Sequence, residues 1–489
     1  MDRHSLKSVH LVGAGGINMS AVGKLLLASG VAVTGSDLEA NEQTKLLQER
    51  GARISIGEAA ENVPEGTDLL IYTSAAPATN LERMEAAKRN IPQMTNFAFL
   101  GEWFRDAMTI VVSGTHGKST TTAMLALILV KAGFDPTVVV GSKVPAFTDG
   151  NLRKGRPNLF VVEGDEYARH FLEFHPFGLV LNNLELDHTD VFRDIDALLQ
   201  SFHELVSQVR DKGFVVVNVS DARLARLIET ERPSLEARGV AIVPFGTEAV
   251  EGVWHVTSRQ DGDYRVVTIA KDAMTARFNL QVPGHFNAMN ATGAVLMAKS
   301  LGIAYQDMGH ALEAFKGIWR RFEFLGEQEE SRIYSDYGHH PTAVCETLSA
   351  AHESFPGRKV LLCFQPHHRN RTKALYREFI PCFDKADSLV LCEIYEVKGR
   401  DVTEDGDISS QKLVEDVKTH DVERGVTRSV GYAPDPASAV ASVLKMAQPD
   451  DIVIVMGAGD IDAAIRTVIP AHSSDSGQAP AGIQKGPSV

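Results

Sequence analysis

Gly114-Thr115-His116-Gly117-Lys118-Ser119 lies between a β-type run at residues 109–113 and an apolar helical stretch at 119–132. This junction restricts the fold tightly. Glycine tolerates backbone conformations that other residues resist, so here a strand can end, reverse within a few residues and feed directly into a helix. The first turn of such a helix carries unpaired N–H groups and the positive end of its dipole, which together attract anions. Lys118 and the Ser119 hydroxyl add a cation and a hard oxygen at the same place. The turn is a shortened form of G-x-x-x-x-G-K-[ST], because Val112 stands where the first glycine would be. It predicts a loop that surrounds the phosphates of ATP together with a Mg²⁺ ion.

The chain has 489 residues, more than one hydrophobic core usually organises, so about three domains are expected. With 44% hydrophobic and 23% charged residues it falls among globular proteins and outside the disordered and fibrous classes. Acidic side chains outnumber basic ones by 63 to 49, a net charge of −14, which argues against a broad nucleic-acid footprint. The longest apolar run, 124–130, ends at Lys131 and falls far short of the roughly 18 residues that span a bilayer. No membrane segment or apolar secretory core is therefore expected, and the reading is cytoplasmic. Cys345, Cys363, Cys382 and Cys392 have no zinc-pair spacing and read as small buried, reduced side chains.

Strand-like and helix-like runs alternate at 9–12, 19–28, 31–34, 68–73 and 81–89, the pattern of a parallel sheet with crossover helices. A second α/β series opens at 109 and passes through 159–162, 179–182 and 214–218 to a hairpin at Asp261-Gly262 and helices near 287–301 and 306–315. A third series includes 360–364, 389–394 and 452–456. The expected units are 1–107, 108–318 and 319–470, with a hinge near Trp319. Residues 471–489, rich in Ser, Gly, Pro and Ala, read as a mobile tail.

Other candidate groups follow predicted strands, as ligand groups do in open α/β sheets. Gly13-Ala14-Gly15-Gly16-Ile17-Asn18-Met19-Ser20 is a partly dinucleotide-like turn with Asn18 in place of the third glycine, and Asp37 ends the next strand, placed to meet a ribose hydroxyl. Glu163, Asp165 and Glu166 follow one strand, and Asp187-His188 comes shortly after another. Of these, Glu163 and His188 are the expected metal ligands. Arg320-Arg321, the run Asp336-Tyr337-Gly338-His339-His340-Pro341 and the run Gln365 to Thr372 complete the set, the last offering a guanidinium suited to a carboxylate.

Taken together, Gly114 to Thr122, Glu163 to Glu166, Asn182 to His188, Gly284 to Asn290, Arg320-Arg321 and Asp336 to Pro341 resemble the Mur ligase family, ATP-dependent amide-bond formers of peptidoglycan precursor synthesis. The resemblance extends to about Ile469 and implies an α/β protein of three domains: N-terminal Rossmann-like for a UDP-sugar, central P-loop ATPase-type, and C-terminal Rossmann-like for an amino acid. It implies that Lys118, Glu163 and His188 are catalytic, with Ser119, Glu163 and His188 on metal. Gly114, Thr115, His116, Gly117, Lys118, Ser119, Thr120, Asn290, Arg321 and Asp336 would bind ATP. Gly13, Gly15, Gly16, Ile17, Met19, Ser20, Ser36, Asp37 and Ser74 would serve the UDP-sugar, and Tyr337, His339, His367 and Arg371 the amino acid, with Arg371 on its carboxylate. Within the family, Gly13 to Ser20 and Gln365 to Thr372 resemble the branch that adds L-alanine to UDP-N-acetylmuramate. Glu166-Tyr167 and Asn182 to Glu185 also resemble the branch that attaches the intact tripeptide L-alanyl-γ-D-glutamyl-meso-diaminopimelate.

The implied chemistry explains these residue types. A carboxylate is a poor acyl donor until the γ-phosphoryl of ATP converts it to an acyl phosphate, and bringing two anions together requires cations. Closure of the domains would protect that intermediate from water. The expected cofactors are ATP and Mg²⁺; the expected partners are small molecules, without nucleic acid or membrane, acting on a monomer or homodimer. Two other classes compete on the residues alone. A nicotinamide dehydrogenase would use the first glycine turn but lacks its third glycine, and a non-catalytic nucleotide-binding regulator would not need Lys118.

Overall fold

The computed structural model describes residues 6–188, 191–396 and 408–469. The expected tail at 471–489 lies outside the described residues. Among the described residues three separate sheets form, each with helices in the connections. Three of the four cysteines are buried and Cys345 is half-buried, all with free thiols. No helix among the described residues is long and apolar enough to cross a membrane.

The first sheet has five strands in the order Arg53–Ile56, Ala32–Asp37, Ser8–Val12, Leu69–Tyr72, Gln93–Thr95, all parallel. Strand order reverses beside Ser8–Val12, so the turn that follows this strand opens into a crevice at the carboxyl ends. Helix Ile17–Ala28 buries much of its surface here, and its partners include Phe97, Phe99 and Trp103 of helix Asn96–Trp103. That cluster continues into the second sheet through Phe160, Phe171 and Phe174, and Phe104 stacks on Phe160 at 3.9 Å between centroids. Truncating such a fully buried phenylalanine to alanine costs about 3–5 kcal/mol, so the first two domains are fixed by a common core.

The second sheet has ten strands, with Met108–Ser113 between Gly178–Leu181 and Arg156–Glu163. These three run parallel, which brings Ser113, Leu181 and Glu163 to one edge. The expected hairpin pairs Trp254–Asp261 with Tyr264–Lys271, and Asp261 lies opposite Tyr264 across Gly262, whose φ is +59°. A further antiparallel strand, Met274–Leu280, extends this end; sequence reading did not anticipate it. Helix Lys118–Lys131 packs on helix His285–Ser300. Both are buried on nearly all sides, as helices lying between a sheet and a second layer must be.

The third sheet runs Glu323–Gln328, Ser331–Asp336, Ile452–Met456, Val360–Phe364, Ser388–Cys392, Ser429–Ala433, parallel except for the first pair. Its carboxyl edge, carrying Asp336 and the residues after Phe364, faces the carboxyl edge of the second sheet. Contacts such as Arg371 to Asp187 and Thr342 to Glu185 join the two.

Candidate active site

Gly117 caps helix Lys118–Lys131 with φ +80°, and a Cβ there would lie 2.1 Å from Asn290 Oδ1. The close approach that required glycine in the sequence is therefore present. Lys118 Nζ curls back over the loop and donates to the carbonyls of Gly114 (2.8 Å) and Thr115 (3.3 Å) and to Glu166 Oε2 (2.7 Å). Burial alone would lower the Lys118 ammonium, but Glu166, Asp165 and Glu163 outweigh it and hold the group above its ordinary value. Burial, reinforced by Asp165 and opposed by Lys118, pushes the Glu166 carboxyl up to about 7. The pair thus keeps its cation charged while the carboxyl takes up a proton readily.

Ser119 Oγ donates to Glu163 Oε1 (3.0 Å), and the Gly141 amide donates to Glu163 Oε2 (2.7 Å). A hydroxyl against a carboxylate beside a phosphate loop suits a hard cation such as Mg²⁺. His188 belongs to a second group. Its Nε2 lies 3.8 Å from Glu166 Oε1, and donor atoms of Asp165, Glu166 and His188 fall within 4.8 Å of one another. Glu166 Oε1 and His188 Nδ1 are buried without partners, which leaves capacity for a ligand. Glu163 and His188, both expected on metal, lie in two donor sets: Glu163 with Ser119, and His188 with Asp165 and Glu166.

Next to the loop lies a cavity of about 300 Å³ lined by residues including Gly117, Thr120, Phe286, Asn290, Arg321 and Asp336. It brings the expected Asn290, Arg321 and Asp336 together from the second and third sheets. Asp336 already accepts from the Gly338 amide (2.7 Å) and the Phe322 amide (2.8 Å), and its carboxyl is raised by burial. Thr115 and His116 are tied to the strand end opposite, through Thr115 Oγ1 to the Glu185 carbonyl and the His116 amide to Asn183 Oδ1.

Tyr337, His339, His367 and Arg371 also gather, around an acidic partner from the second domain. Arg371 Nε donates to Asp187 Oδ1 at 2.7 Å, Arg371 Nη1 meets His367 Nδ1 at 3.0 Å, and His339 Nε2 lies 3.8 Å from Asp187 Oδ2. Tyr337 packs edge-on against His339 at 5.4 Å. Burial would raise the Asp187 carboxyl, but Arg371, His339 and His188 together outweigh it and hold the group well below the usual carboxylate range. Asp187 to Arg371 spans 184 residues, and no sequence spacing reveals it.

His339 gives this cluster an acid sensitivity. Burial, with the Arg371 cation adding, pushes its imidazole from 6.5 down to about 4. A base whose folded pKa lies below its unfolded value binds fewer protons when folded. Its contribution is therefore complete above about pH 6.5 and is lost as pH falls toward 4. Between pH 7 and 5 this one group should remove about 2 kcal/mol of stability. His339→Gln should flatten the fall of the thermal midpoint over that range; an unchanged slope would assign the sensitivity to other groups.

In the first domain, Gly13, Gly16 and Ile17 form the strand-helix turn, and exposed Ser74 follows the neighbouring strand across the crevice. The Gly15 amide donates to Asp37 Oδ2 at 2.7 Å, which fixes the carboxylate beside the turn. Ser20 and Ser36 are buried, with their hydroxyls on Gln43 Oε1 (3.0 Å) and Glu82 Oε2 (2.6 Å), and Met19 packs in the core. These three shape the turn from behind.

Comparison with known proteins bears on the whole chain. Three family descriptions match: "Mur ligase family, catalytic domain" at 8–107, "Mur ligase middle domain" at 112–298 and "Mur ligase, glutamate ligase domain" at 320–459. A UDP-N-acetylmuramate--L-alanine ligase of Salinibacter ruber is 36% identical over 97% of this chain and 97% of its own length. One of Clostridium kluyveri is 34% identical over 93% and 96%. Among solved structures, UDP-N-acetylmuramate-alanine ligase MurC of Thermotoga maritima superposes with a TM-score of 0.78 at 26% identity, covering 94% of this chain and 97% of that one. A murein peptide ligase of Psychrobacter arcticus gives 0.68 at 23% identity over 94% and 98%, a likeness of fold. A phosphate loop facing a third-sheet aspartate, domain matches in the same order and identity along nearly the full length all agree: the chain belongs to the Mur ligase family.

Proposed function

We propose that this ATP-dependent ligase joins L-alanine to the carboxylate of UDP-N-acetylmuramate, releasing ADP and phosphate, in peptidoglycan precursor synthesis. The observation that carries the reading is the convergence of Lys118, the Ser119–Glu163 pair and the Arg371 cluster on facing edges of the second and third sheets. Residues 1–107 would hold the UDP-sugar, 108–318 the ATP and 319–470 the amino acid.

Lys118 is poised to exchange its loop carbonyls for phosphate oxygens, keeping its charge because three carboxylates surround it. Ser119 and Glu163 would hold Mg²⁺, with Asp165, Glu166 and His188 as a second set. The bound ion would offset charge on the phosphoryl group as it moves to the sugar acid. Asn290, Arg321 and Asp336 would fix the nucleoside, and His339, His367 and Arg371 would orient the amino acid. Closure of the two carboxyl edges around bound substrates would limit the access of water to the acyl phosphate.

The tripeptide reading is the weaker one. The curated relatives above carry the alanine-ligase name, and the murein peptide ligase superposes less well than the alanine ligase. The test supplies the purified chain with UDP-N-acetylmuramate, ATP and Mg²⁺ and compares L-alanine, glycine, L-serine and the tripeptide by phosphate release and amide product. L-alanine should give the highest kcat/KM. Faster turnover of the tripeptide would replace this assignment with the second reading, and absence of any amide product would remove both.

A further inference from the structure

A third cluster of donors stands apart from the two magnesium donor sets, although its His116 also belongs to the loop expected to bind ATP. His116 Nε2 lies 3.3 Å from Glu185 Oε2, and His340 Nδ1 lies 3.4 Å from the same oxygen. The donor atoms of all three residues fall within 4.8 Å of one another, and the two imidazole rings are 4.9 Å apart. Thr342 Oγ1 donates to Glu185 Oε2 at 2.7 Å.

The contacts of His340 pull its proton in two directions. Its Nδ1 accepts from the Thr342 amide at 3.3 Å, capping helix Pro341–Ser354. In that tautomer a lone pair also faces the Glu185 carboxylate, and the proton on Nε2 is buried without a partner. If the proton moves to Nδ1, the cap is lost and Nε2 becomes an unpaired lone pair in the protein interior. The residue is only 6% exposed, so water has little room to repair either arrangement. A cation between Nδ1 and the carboxylate would replace the lone-pair-against-anion contact with two attractive ones, in exchange for the Thr342 cap.

Geometry identifies the class of cation. Metal–nitrogen and metal–oxygen bonds of about 2.0–2.2 Å around a tetrahedral ion place neighbouring ligand atoms about 3.3–3.5 Å apart. The two nitrogen–oxygen separations are 3.3 and 3.4 Å. Two imidazoles with one carboxylate favour zinc-class ions, whereas Mg²⁺ prefers oxygen ligands such as those at Ser119 and Glu163.

We propose that His116, Glu185 and His340 form a three-ligand site for a zinc-class divalent transition metal, with its fourth position toward the nucleotide cavity that His116 and Glu185 also line. His116 and Glu185 belong to the second domain and His340 to the third, so the site is complete only when the two are docked. Metal binding would therefore hold the closed arrangement by mass action.

The test uses the full chain after chelation, titrated with Co²⁺ in excess Mg²⁺ so that oxygen sites are filled. One Co²⁺ per chain should give the strong visible absorption of tetrahedral coordination, and one equivalent of Zn²⁺ should abolish it. His340→Ala, Glu185→Gln and His116→Asn should each weaken Co²⁺ binding by ~100-fold or more, since even groups outside the coordination shell contribute 10- to 100-fold. Circular dichroism selects the folded variants, and three are used so that misfolding of one still leaves two. Weak octahedral absorption alone, or a tetrahedral band that survives in the folded variants, would overturn the site. Small-angle scattering should show Zn²⁺ reducing the radius of gyration or its spread in the wild type only; no difference from His340→Ala would overturn the closure.

Discussion

Replacing Lys118 with alanine is expected to lower kcat by about 10³-fold while the chain still folds. The catalytic loss follows from removing a fixed cation aimed at a transferring phosphoryl group, a role worth a few kcal/mol where water is excluded. The effect on folding is less obvious, because Lys118 is paired with Glu166, which is 1% exposed. Leaving a buried charge without its partner ordinarily costs about 3–5 kcal/mol. Here the cost is limited, because Glu166 is already pushed up to about 7 and without Lys118 will rise further, so the carboxyl takes a proton in place of remaining an unpaired anion. An acid whose folded pKa exceeds its unfolded value loses stability as pH rises from the unfolded value toward the folded one. The variant should accordingly match the wild type near pH 5 and fall below it at pH 8. Retained turnover would remove Lys118 from the chemistry, and an equal deficit at both pH values would refute the protonation of Glu166.

The contrast between the Gly114–Ser119 loop and the Arg371 cluster shows what a sequence can reveal. Everything that shapes the loop is contiguous: the apolar strand, the glycines that permit φ +134° at Gly114 and +80° at Gly117, and the helix that follows. Local chemistry dictates that geometry, so it was legible. The partner of Arg371 lies 184 residues away, and the partner of His340 lies 155 away on a different domain; such pairs exist only after two sheets face each other. Ser20 and Ser36 show a subtler limit. The family resemblance implies that they serve the UDP-sugar, and both hydroxyls turn inward to Gln43 and Glu82, with Glu82 fully buried beside His10. Which face of a short strand or helix meets the crevice depends on packing, and a glycine-rich motif does not encode it.

Arg371→Ala is expected to raise the KM for L-alanine by roughly 30- to 150-fold, the equivalent of about 2–3 kcal/mol for a charge-assisted contact to a carboxylate. It should also loosen the third domain, because Asp187 is 4% exposed and would be left without its guanidinium. These consequences have different origins and can be separated. Asp187→Asn removes the buried anion, so combining it with Arg371→Ala should recover much of the stability lost in the single variant. If Arg371 also grips the amino-acid carboxylate, the KM for L-alanine stays high in the double variant, since nothing has replaced the fork. If Arg371 only clamps Asp187, KM recovers in step with the thermal midpoint. The first outcome is the one expected, because the guanidinium is flanked by His367 at 3.0 Å at the junction of the two carboxyl edges. Domain closure would then bring Asp187 and the substrate carboxylate into competition for one cation, and binding of the amino acid would exchange a protein anion for a substrate anion at almost constant local charge.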